Sequence, residues 1–188
     1  MKKVLFIFGA AVGALGLAFY KLSRFDAEEA PYDLVRRDGR FELRRYPSIP
    51  VARTRIHGGR NQSFKRLFRF ISGENERNEK IAMPTPVLFE ISAPNRMSFF
   101  MPAATQARGV PEPASDDVEL DQERGGHIAV VRFGGPMREE SERRAVEELR
   151  TWLQAEGLES HGEPLIAYYD SPMIPGPFRR NEAMIPIA

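Results

Sequence analysis

Residues 49–59 read IPVARTRIHGG and residues 60–73 read RNQSFKRLFRFISG, and this stretch decides the fold. The first part is a β-branched run closed by two glycines, which predicts a strand. In the second part, apolar residues recur at i, i+3, i+4 and i+7, which predicts a helix whose apolar face consists of Phe64, Leu67, Phe68 and Ile71. Gly73 stands where a helix ends on a residue that tolerates positive φ.

The same plan recurs in the second half of the chain. Residues 127–135 read HIAVVRFGG, and residues 136–157 read PMREESERRAVEELRTWLQAEG. Gly157 again predicts the end of a helix, and its apolar face consists of Val146, Leu149, Trp152 and Leu153. We therefore predict an α+β fold, a distorted and mainly antiparallel β-barrel made of two similar half-barrels with two flanking helices.

The other predicted strands complete this barrel. Residues 32–36 and 41–46 predict a hairpin around Asp38-Gly39. Further strands are predicted at 87–92 with 97–101, at 118–124 with 127–133 across Gly125-Gly126, and singly at 165–169 and 182–187. Residues 103–116, which are rich in Ala and Pro, predict an irregular loop between the halves.

Charge and cysteine content exclude several kinds of function. The formal net charge of +1 depends on four basic residues before position 25, and the rest of the chain is slightly acidic, so a nucleic-acid partner has no electrostatic support. The sequence contains no cysteine. Disulfides, thiolate metal sites and covalent attachment of haem through C-x-x-C-H are therefore excluded.

Residues 4–20, VLFIFGAAVGALGLAFY, form an uncharged apolar run preceded by Lys2 and Lys3. We expect residues 1–25 to be an uncleaved membrane anchor, with a cleaved signal peptide as the alternative. The leading lysines favour a cytoplasmic N-terminus. Residues 26–188 would then form one domain that faces the periplasm or the cell exterior.

Four segments resemble the SOUL haem-binding family: FELRRY (41–46), KIAMPTPV (80–87), MSFFMP (97–102) and YDSPMIPGPFRRNEAMIPI (169–187). The resemblance implies a distorted antiparallel barrel of two similar halves, and it implies that this chain binds haem or another tetrapyrrole. Two residues depart from the family pattern. Arg45 stands where some haem-binding members have a histidine, and Pro84 stands where relatives often have a threonine.

A haem site needs apolar walls, cations for two propionates and, optionally, an axial ligand. On the first helix, Phe70 is predicted to lie off the apolar stripe, on the side of Arg66. We therefore expect haem to bind at the outer face of this helix and the barrel rim, next to Phe70, Arg60, Lys65, Arg66 and Arg69. The alternative is that Phe70 packs on a neighbouring loop and the basic residues are merely solvated.

His57 is the best candidate for an axial metal ligand, because it directly precedes the helix that carries the basic residues. His127 and His161 are expected to be structural or exposed. Met83, Met97 and Met101 could donate a thioether, but methionine in strands usually fills the core.

Enzyme motifs such as G-x-S-x-G, H-E-x-x-H and the P-loop do not occur in this sequence. The acids of the second helix alternate with arginines and predict an ion-paired solvent face. Glu182 is expected either to anchor a ligand at a pocket mouth or to pair with an arginine and fix the last strand. The leading hypothesis is thus a membrane-anchored, non-catalytic protein that binds a tetrapyrrole or a similar planar amphiphile. Two alternatives remain: an envelope scaffold whose 103–116 loop meets a protein, and a domain that senses or hydrolyses small amphiphiles.

Overall fold

The computed structural model describes residues 27–92, 95–171 and 174–188. The predicted membrane segment at residues 4–20 and the proposed boundary at residue 25 lie outside these ranges. No helix within them is long and apolar enough to span a bilayer.

The described chain is an α+β structure with one large antiparallel sheet, a two-stranded parallel sheet and three α-helices. The helices are α1 (Arg60–Ile71), α2 (Ala103–Arg108) and α3 (Glu139–Ala155), with a 3₁₀ turn at Gly176–Phe178. The strands are β1 (Glu28–Glu29), β2 (Asp33–Asp38), β3 (Phe41–Tyr46), β4 (Ile49–Arg55), β5 (Pro84–Thr85), β6 (Val87–Glu90), β7 (Arg96–Phe100), β8 (Glu119–Glu123), β9 (Gly126–Phe133), β10 (Leu165–Tyr168) and β11 (Asn181–Pro186).

The strand order of the large sheet confirms the predicted duplication. The order is β2-β3-β9-β11-β10-β6-β7-β4-β8. Outward from the central β6–β10 pair, one side reads β7, β4, β8 and the other reads β11, β9, β3. The repeated unit is a strand, a helix and two further strands. It consists of β4, α1, β6 and β7 in the first half and of β9, α3, β10 and β11 in the second. This is the internal repeat seen in the sequence.

The first strand of each half, β3 or β8, pairs with a strand of the other half, β9 or β4. This exchange contradicts one predicted hairpin. We expected β8 to pair with β9 across Gly125-Gly126. Instead, β8 pairs with β4 of the other half, and β9 pairs with β3 and β11. The prediction was wrong because two consecutive strands joined by glycines have the local pattern of a hairpin, whereas this pairing is decided by distant strands.

The exchange forces the sheet to curl. β3 and β4 lie six places apart in the sheet, which in a flat sheet would be about 29 Å. Only two residues link them, and from Tyr46 to Ile49 the chain can span about 11 Å at most. The link from β8 to β9 has the same length. The flanks must therefore approach each other, although β2 and β8 do not pair, so the sheet is a curled half-barrel rather than the complete barrel that we predicted.

The two helix ends follow the sequence prediction in detail. Gly73 and Gly157 have φ of 117° and 67°, in the region that favours glycine. The amide of the next residue returns to a carbonyl five residues earlier, from Glu74 to Arg69 and from Leu158 to Leu153. These are Schellman motifs, and both copies of the repeat use the same one.

Helices α1 and α3 pack on one face of the sheet. The predicted stripe of α3 is confirmed, since Val146, Leu149, Trp152 and Leu153 are all buried. The stripe of α1 was partly wrong. Its buried residues are Ser63, Leu67, Phe70 and Ile71, whereas Phe64 is half-buried and Phe68 is 48% exposed.

The buried stripe of α1 is rotated relative to the predicted one because a polar residue, Ser63, points into the core. The Ser63 hydroxyl contacts the carbonyls of Arg55 and Gly59 at 3.3 and 3.2 Å, which satisfies it without water. Burying Ser63 brings Phe70, seven residues later, to the same face. Phe70 is only 1% exposed, so the prediction that it points away from the core is wrong.

The predicted first hairpin is confirmed, whereas the predicted irregular loop at 103–116 is only partly so. Residues 33–46 form the predicted hairpin, with Asp38 opposite Phe41 and Gly39 at a φ of 57°. The 103–116 segment is not wholly irregular, because it begins with α2, whose Thr105 is buried.

The crossing of the two short links leaves no room for a side chain at Gly125. A Cβ at this position would lie 2.6 Å from backbone atoms of Pro47 and Ser48. We expect Gly125→Ala to lower the free energy of unfolding by about 1–3 kcal/mol, measured by urea denaturation, because the opposing backbone must shift.

Gly134→Ala is the matched control. A Cβ there would have its nearest neighbours at 3.8 Å, which is ordinary contact. Equal stability of the two variants would contradict a tight crossing at Gly125.

Candidate functional site

The face of the sheet opposite the helices, which we call the inner face, is buried although none of the described helices packs on it. Val51, Val130 and Ala167 lie on this face and have no exposed surface. The curl of the sheet and the two crossing links cover them. Such an enclosed concave face is where a ligand would be accommodated in this fold.

One end of the inner face opens into a cleft of about 660 Å³, which we call the mouth cleft. This volume lies within the usual range for small-molecule and cofactor sites. Ile128 and Leu165 provide an apolar floor, and the rim carries His127, His161 and Arg124. The cleft therefore combines an apolar surface, imidazoles and a cation.

The end of the last strand brings the two histidines to the same cleft. The amide of His161 donates to the carbonyl of Pro186 at 2.6 Å, and the amide of Ile187 donates to the carbonyl of His127 at 3.0 Å. Both imidazoles belong to exposed residues. Their proximity could not be predicted from their spacing, because they lie 34 positions apart and the end of β11 joins their positions.

The acidic side of the mouth cleft is organised around Arg53. This buried guanidinium donates to Ser98 at 3.0 Å, to Glu123 at 2.6 Å and to Asp121. Burial raises the pKa of the Glu123 carboxyl above its usual value, although Arg53 acts in the opposite direction. A carboxyl group with raised pKa in a cleft is a candidate for proton transfer.

The other end of the inner face is closed by a buried ionic network. Arg44 donates to both oxygens of Glu182, at 2.6 and 2.9 Å, and to Glu42 at 2.7 Å. The Tyr169 hydroxyl donates to Glu182 at 2.7 Å. Burial alone would raise the pKa of Glu182, but Arg44 and its other donors outweigh burial and hold that pKa below its usual value.

Two roles were expected for Glu182, to anchor a ligand or to pair with an arginine, and the structure shows the second. It pairs with arginine and fixes the last strand to β3, and it is fully buried. The same holds for Glu142, which was expected on the solvent face of α3 but is 1% exposed. Arg60 binds both oxygens of Glu142 at 2.5 and 2.7 Å, and Tyr168 donates to it from the core.

The residues of the predicted helix-face site do not come together around one cavity. Arg60 is engaged with Glu142, and Arg66 donates to the carbonyl of Arg55 at 2.7 Å and to the Thr54 hydroxyl at 3.1 Å. The space beside Arg66, Arg69 and Phe70 measures about 10 Å³, less than a water molecule occupies. Lys65, Arg69 and His57 are exposed.

The remaining sequence candidates have simple positions. Met97 and Met101 are buried in the core, as expected, and Met83 packs against the same core. Arg45, which replaces the family histidine, is exposed and pairs with Asp33 at 2.9 Å. Pro84 lies in β5, opposite Glu28 of β1.

A comparison with protein-family models now identifies the chain. Residues 27–186 match the model described as SOUL heme-binding protein. The chain belongs to the SOUL haem-binding family. This family is a haem-binding one, and the match covers nearly all of the residues that the structure describes.

Several solved structures have a fold similar to that of this chain. The C-terminal domain of EcmrR has a TM-score of 0.56 at 10% identity, over 84% of this chain and 98% of its own. A hydrolase from Listeria innocua has a TM-score of 0.54 at 13% identity, over 82% and 94%. EcmrR in a DNA complex has a TM-score of 0.56 at 11% identity, over 99% and 67%. At these identities the likeness shows the fold alone, and no curated protein matches the chain.

The buried network of this SOUL domain leads to a prediction about stability and pH. We expect Glu182→Gln to lower the free energy of unfolding at pH 7 by about 3–5 kcal/mol, because it removes one of the two carboxylates that compensate the buried Arg44 charge. The stability that Glu182 provides is present above its unfolded pKa and is lost as the pH falls through its lowered folded pKa. The difference between wild type and variant should therefore shrink below about pH 4.

Asp33→Asn is the control, since it breaks the exposed pair with Arg45 and should change stability far less. Urea denaturation at several pH values measures both effects. A Glu182→Gln variant as stable as Asp33→Asn would refute the structural role of the network.

Proposed function

We propose that this SOUL domain binds haem or a similar planar amphiphile non-covalently in the mouth cleft, and that it does so without turnover. The observation that carries the proposal is the coincidence, in one cleft of about 660 Å³, of an apolar floor with two imidazoles and a cation. Family membership supports the ligand class.

The donor set of the cleft suits an iron porphyrin. His127 or His161 would supply the axial imidazole, and this replaces the family histidine that is absent at Arg45. Haem bound there would supply an iron centre whose properties depend on the axial ligand. The apolar floor of Ile128 and Leu165 would contact the macrocycle.

Arg124 would bind a propionate. Within the described ranges this exposed guanidinium makes no ion pair and no side-chain hydrogen bond, so it can pair with a carboxylate at no cost to the fold. Arg96 is already engaged with Glu90 at 2.8 Å. Arg53 is engaged with Glu123, so both of these arginines would shape the cleft rather than bind the ligand.

The outer face of α1 remains a second location for the same function. Phe68, rather than Phe70, is the aromatic residue that points outward, and its ring stacks on Phe64 with 5.9 Å between centroids. Lys65 and Arg69 are exposed on the same helix. A haem there would lie on the surface, with His57 as the nearest imidazole in sequence.

We further propose that residues 4–20 hold the domain at a membrane, with the domain on the periplasmic or outer side. The apolar run flanked by Lys2 and Lys3 supports this arrangement. Absence of turnover is part of the proposal because two of the buried carboxylates, Glu142 and Glu182, are bound by arginine and tyrosine and have lowered pKa values. Such groups are poor general bases.

Haemin titration of the full chain in lipid nanodiscs tests the location. We expect His127→Ala/His161→Ala to weaken haemin binding roughly tenfold or more and to change the Soret band, because the axial imidazole is lost. Empty nanodiscs provide the blank.

His57→Ala is the matched control and should bind haemin like the wild type. If His57→Ala shifts the Soret band and the double variant does not, the site is on α1 instead. A wild type that shows no saturable Soret change refutes haem binding altogether.

A second candidate function is hydrolysis of a small amphiphile, with Glu123 as general base. The observation that favours it is the raised pKa of Glu123 in the mouth cleft. The hydrolase from Listeria innocua with the same fold supports the reaction class only by analogy.

An ester hydrolysis assay decides between binding and turnover. If the domain is a hydrolase, 4-nitrophenyl esters should be cleaved at a rate that Glu123→Gln lowers by about a hundredfold or more, the low end for loss of a general base. Glu163→Gln changes another rim carboxylate and should leave the rate unchanged. Under the leading proposal, wild type and both variants show no turnover above buffer.

A further inference from the structure

Two neighbouring loops of the structure carry the same tripeptide pattern. Residues 136–138 read PMR in the link from β9 to α3, and residues 177–179 read PFR in the link from β10 to β11. Each loop thus presents a proline, a large apolar residue and an arginine. We call these six residues the PMR/PFR tip.

The backbone holds the two loops together. The amide of Gly135 donates to the carbonyl of Gly176 at 3.0 Å, and the Asn181 side chain donates to the carbonyl of Gly135 at 3.0 Å. A Cβ at Gly176 would lie 3.4 Å from the ring of Pro136. The two apolar residues therefore belong to one surface.

The tip exposes its apolar side chains to an unusual degree. Phe178 is 68% exposed and Met137 is 38% exposed. Arg138 is exposed and, within the described residues, makes no ion pair. An exposed aromatic or thioether side chain next to an arginine suits the boundary between lipid headgroups and acyl chains, where the apolar part is buried and the guanidinium meets phosphate.

The tip lies on the side of the domain where the chain arrives from the apolar run. Arg180, two residues after Phe178, binds the Glu29 carboxylate of β1 at 3.0 Å. Residue 20 ends the apolar run eight residues before Glu28, and eight residues span about 28 Å at most. A bilayer that holds residues 4–20 is therefore within reach of this side of the domain.

We propose that the PMR/PFR tip inserts into the surface of an anionic phospholipid bilayer and orients the domain on it. Phe178 and Met137 enter the headgroup–acyl boundary, and Arg138 binds lipid phosphate. The tip is separate from the mouth cleft, and the proposal rests on the membrane location of residues 4–20 but not on haem binding.

Spin labels can test this insertion cleanly because the sequence has no cysteine. Phe178→Cys and Met137→Cys each place one label at the tip, and Phe68→Cys places a matched label at an exposed apolar residue of α1. Ala14→Cys reports on the apolar run. The full chain is reconstituted in nanodiscs of phosphatidylcholine and phosphatidylglycerol, and power saturation measures collisions with oxygen and with a water-soluble nickel chelate.

We expect labels at 178 and 137 to collide with the nickel chelate at least threefold less often than the label at 68, and to lose part of this protection when phosphatidylglycerol is omitted. If the label at 14 is in lipid while the labels at 178 and 137 collide with nickel as often as the label at 68, the tip proposal fails and the membrane anchor is supported. If the label at 14 is in water as well, the tip proposal and the anchor proposal both fail. Spin–spin broadening at 178 with full access to nickel would assign the tip to contacts between copies of the chain, which also overturns the proposal.

Discussion

The structure depends on the crossing of two short links at Gly125. Each link joins strands that lie six places apart in the sheet, so neither half can form without drawing the flanks of the sheet together. The closest approach places backbone atoms of Pro47 and Ser48 where a side chain of residue 125 would be. A backbone contact of this kind holds the curl in place of the hydrogen bonds that would close a complete barrel. The buried inner face follows from it, since no helix in residues 27–92, 95–171 or 174–188 covers Val51 or Val130.

Some of this fold could be predicted because its determinants are local. The stripe of α3 and the Schellman ends at Gly73 and Gly157 depend on residues within one helix and its next turn. The orientation of α1 was missed because apolar periodicity favours burial of Phe68 over burial of Ser63. In the structure, two carbonyls at the end of β4 and the start of α1 accept the hydrogen bond of the buried serine hydroxyl. The exchange of β3 and β8 was missed because it is decided by pairing between halves, which periodicity does not report.

The candidate site was less predictable than the fold for the same reason. The helix-face residues were grouped because they are neighbours in sequence, and the structure engages Arg60 and Arg66 with separate partners. His127 and His161 meet through the end of β11, which no spacing pattern could indicate. The resemblance did predict the family to which the chain belongs, and its segments 41–46 and 169–187 contribute to the buried network between β3 and β11. That network fixes the last strand to β3.

The two ends of the inner face have different chemistry although the halves share one backbone plan. Residues 27–32, which precede the repeat, help to close the end that carries the ionic network. Ala30 packs against Ile49, Val51 and Phe100, and the Tyr32 ring lies 4.2 Å from the Arg44 guanidinium. Only about 40 Å³ of apolar space remains there, well below the roughly 300 Å³ at which ligand pockets begin. A flat macrocycle therefore could not pass beyond the mouth cleft while this segment is in place. The proposed haem site is for this reason confined to the rim of the cleft, where His127, His161 and Arg124 lie.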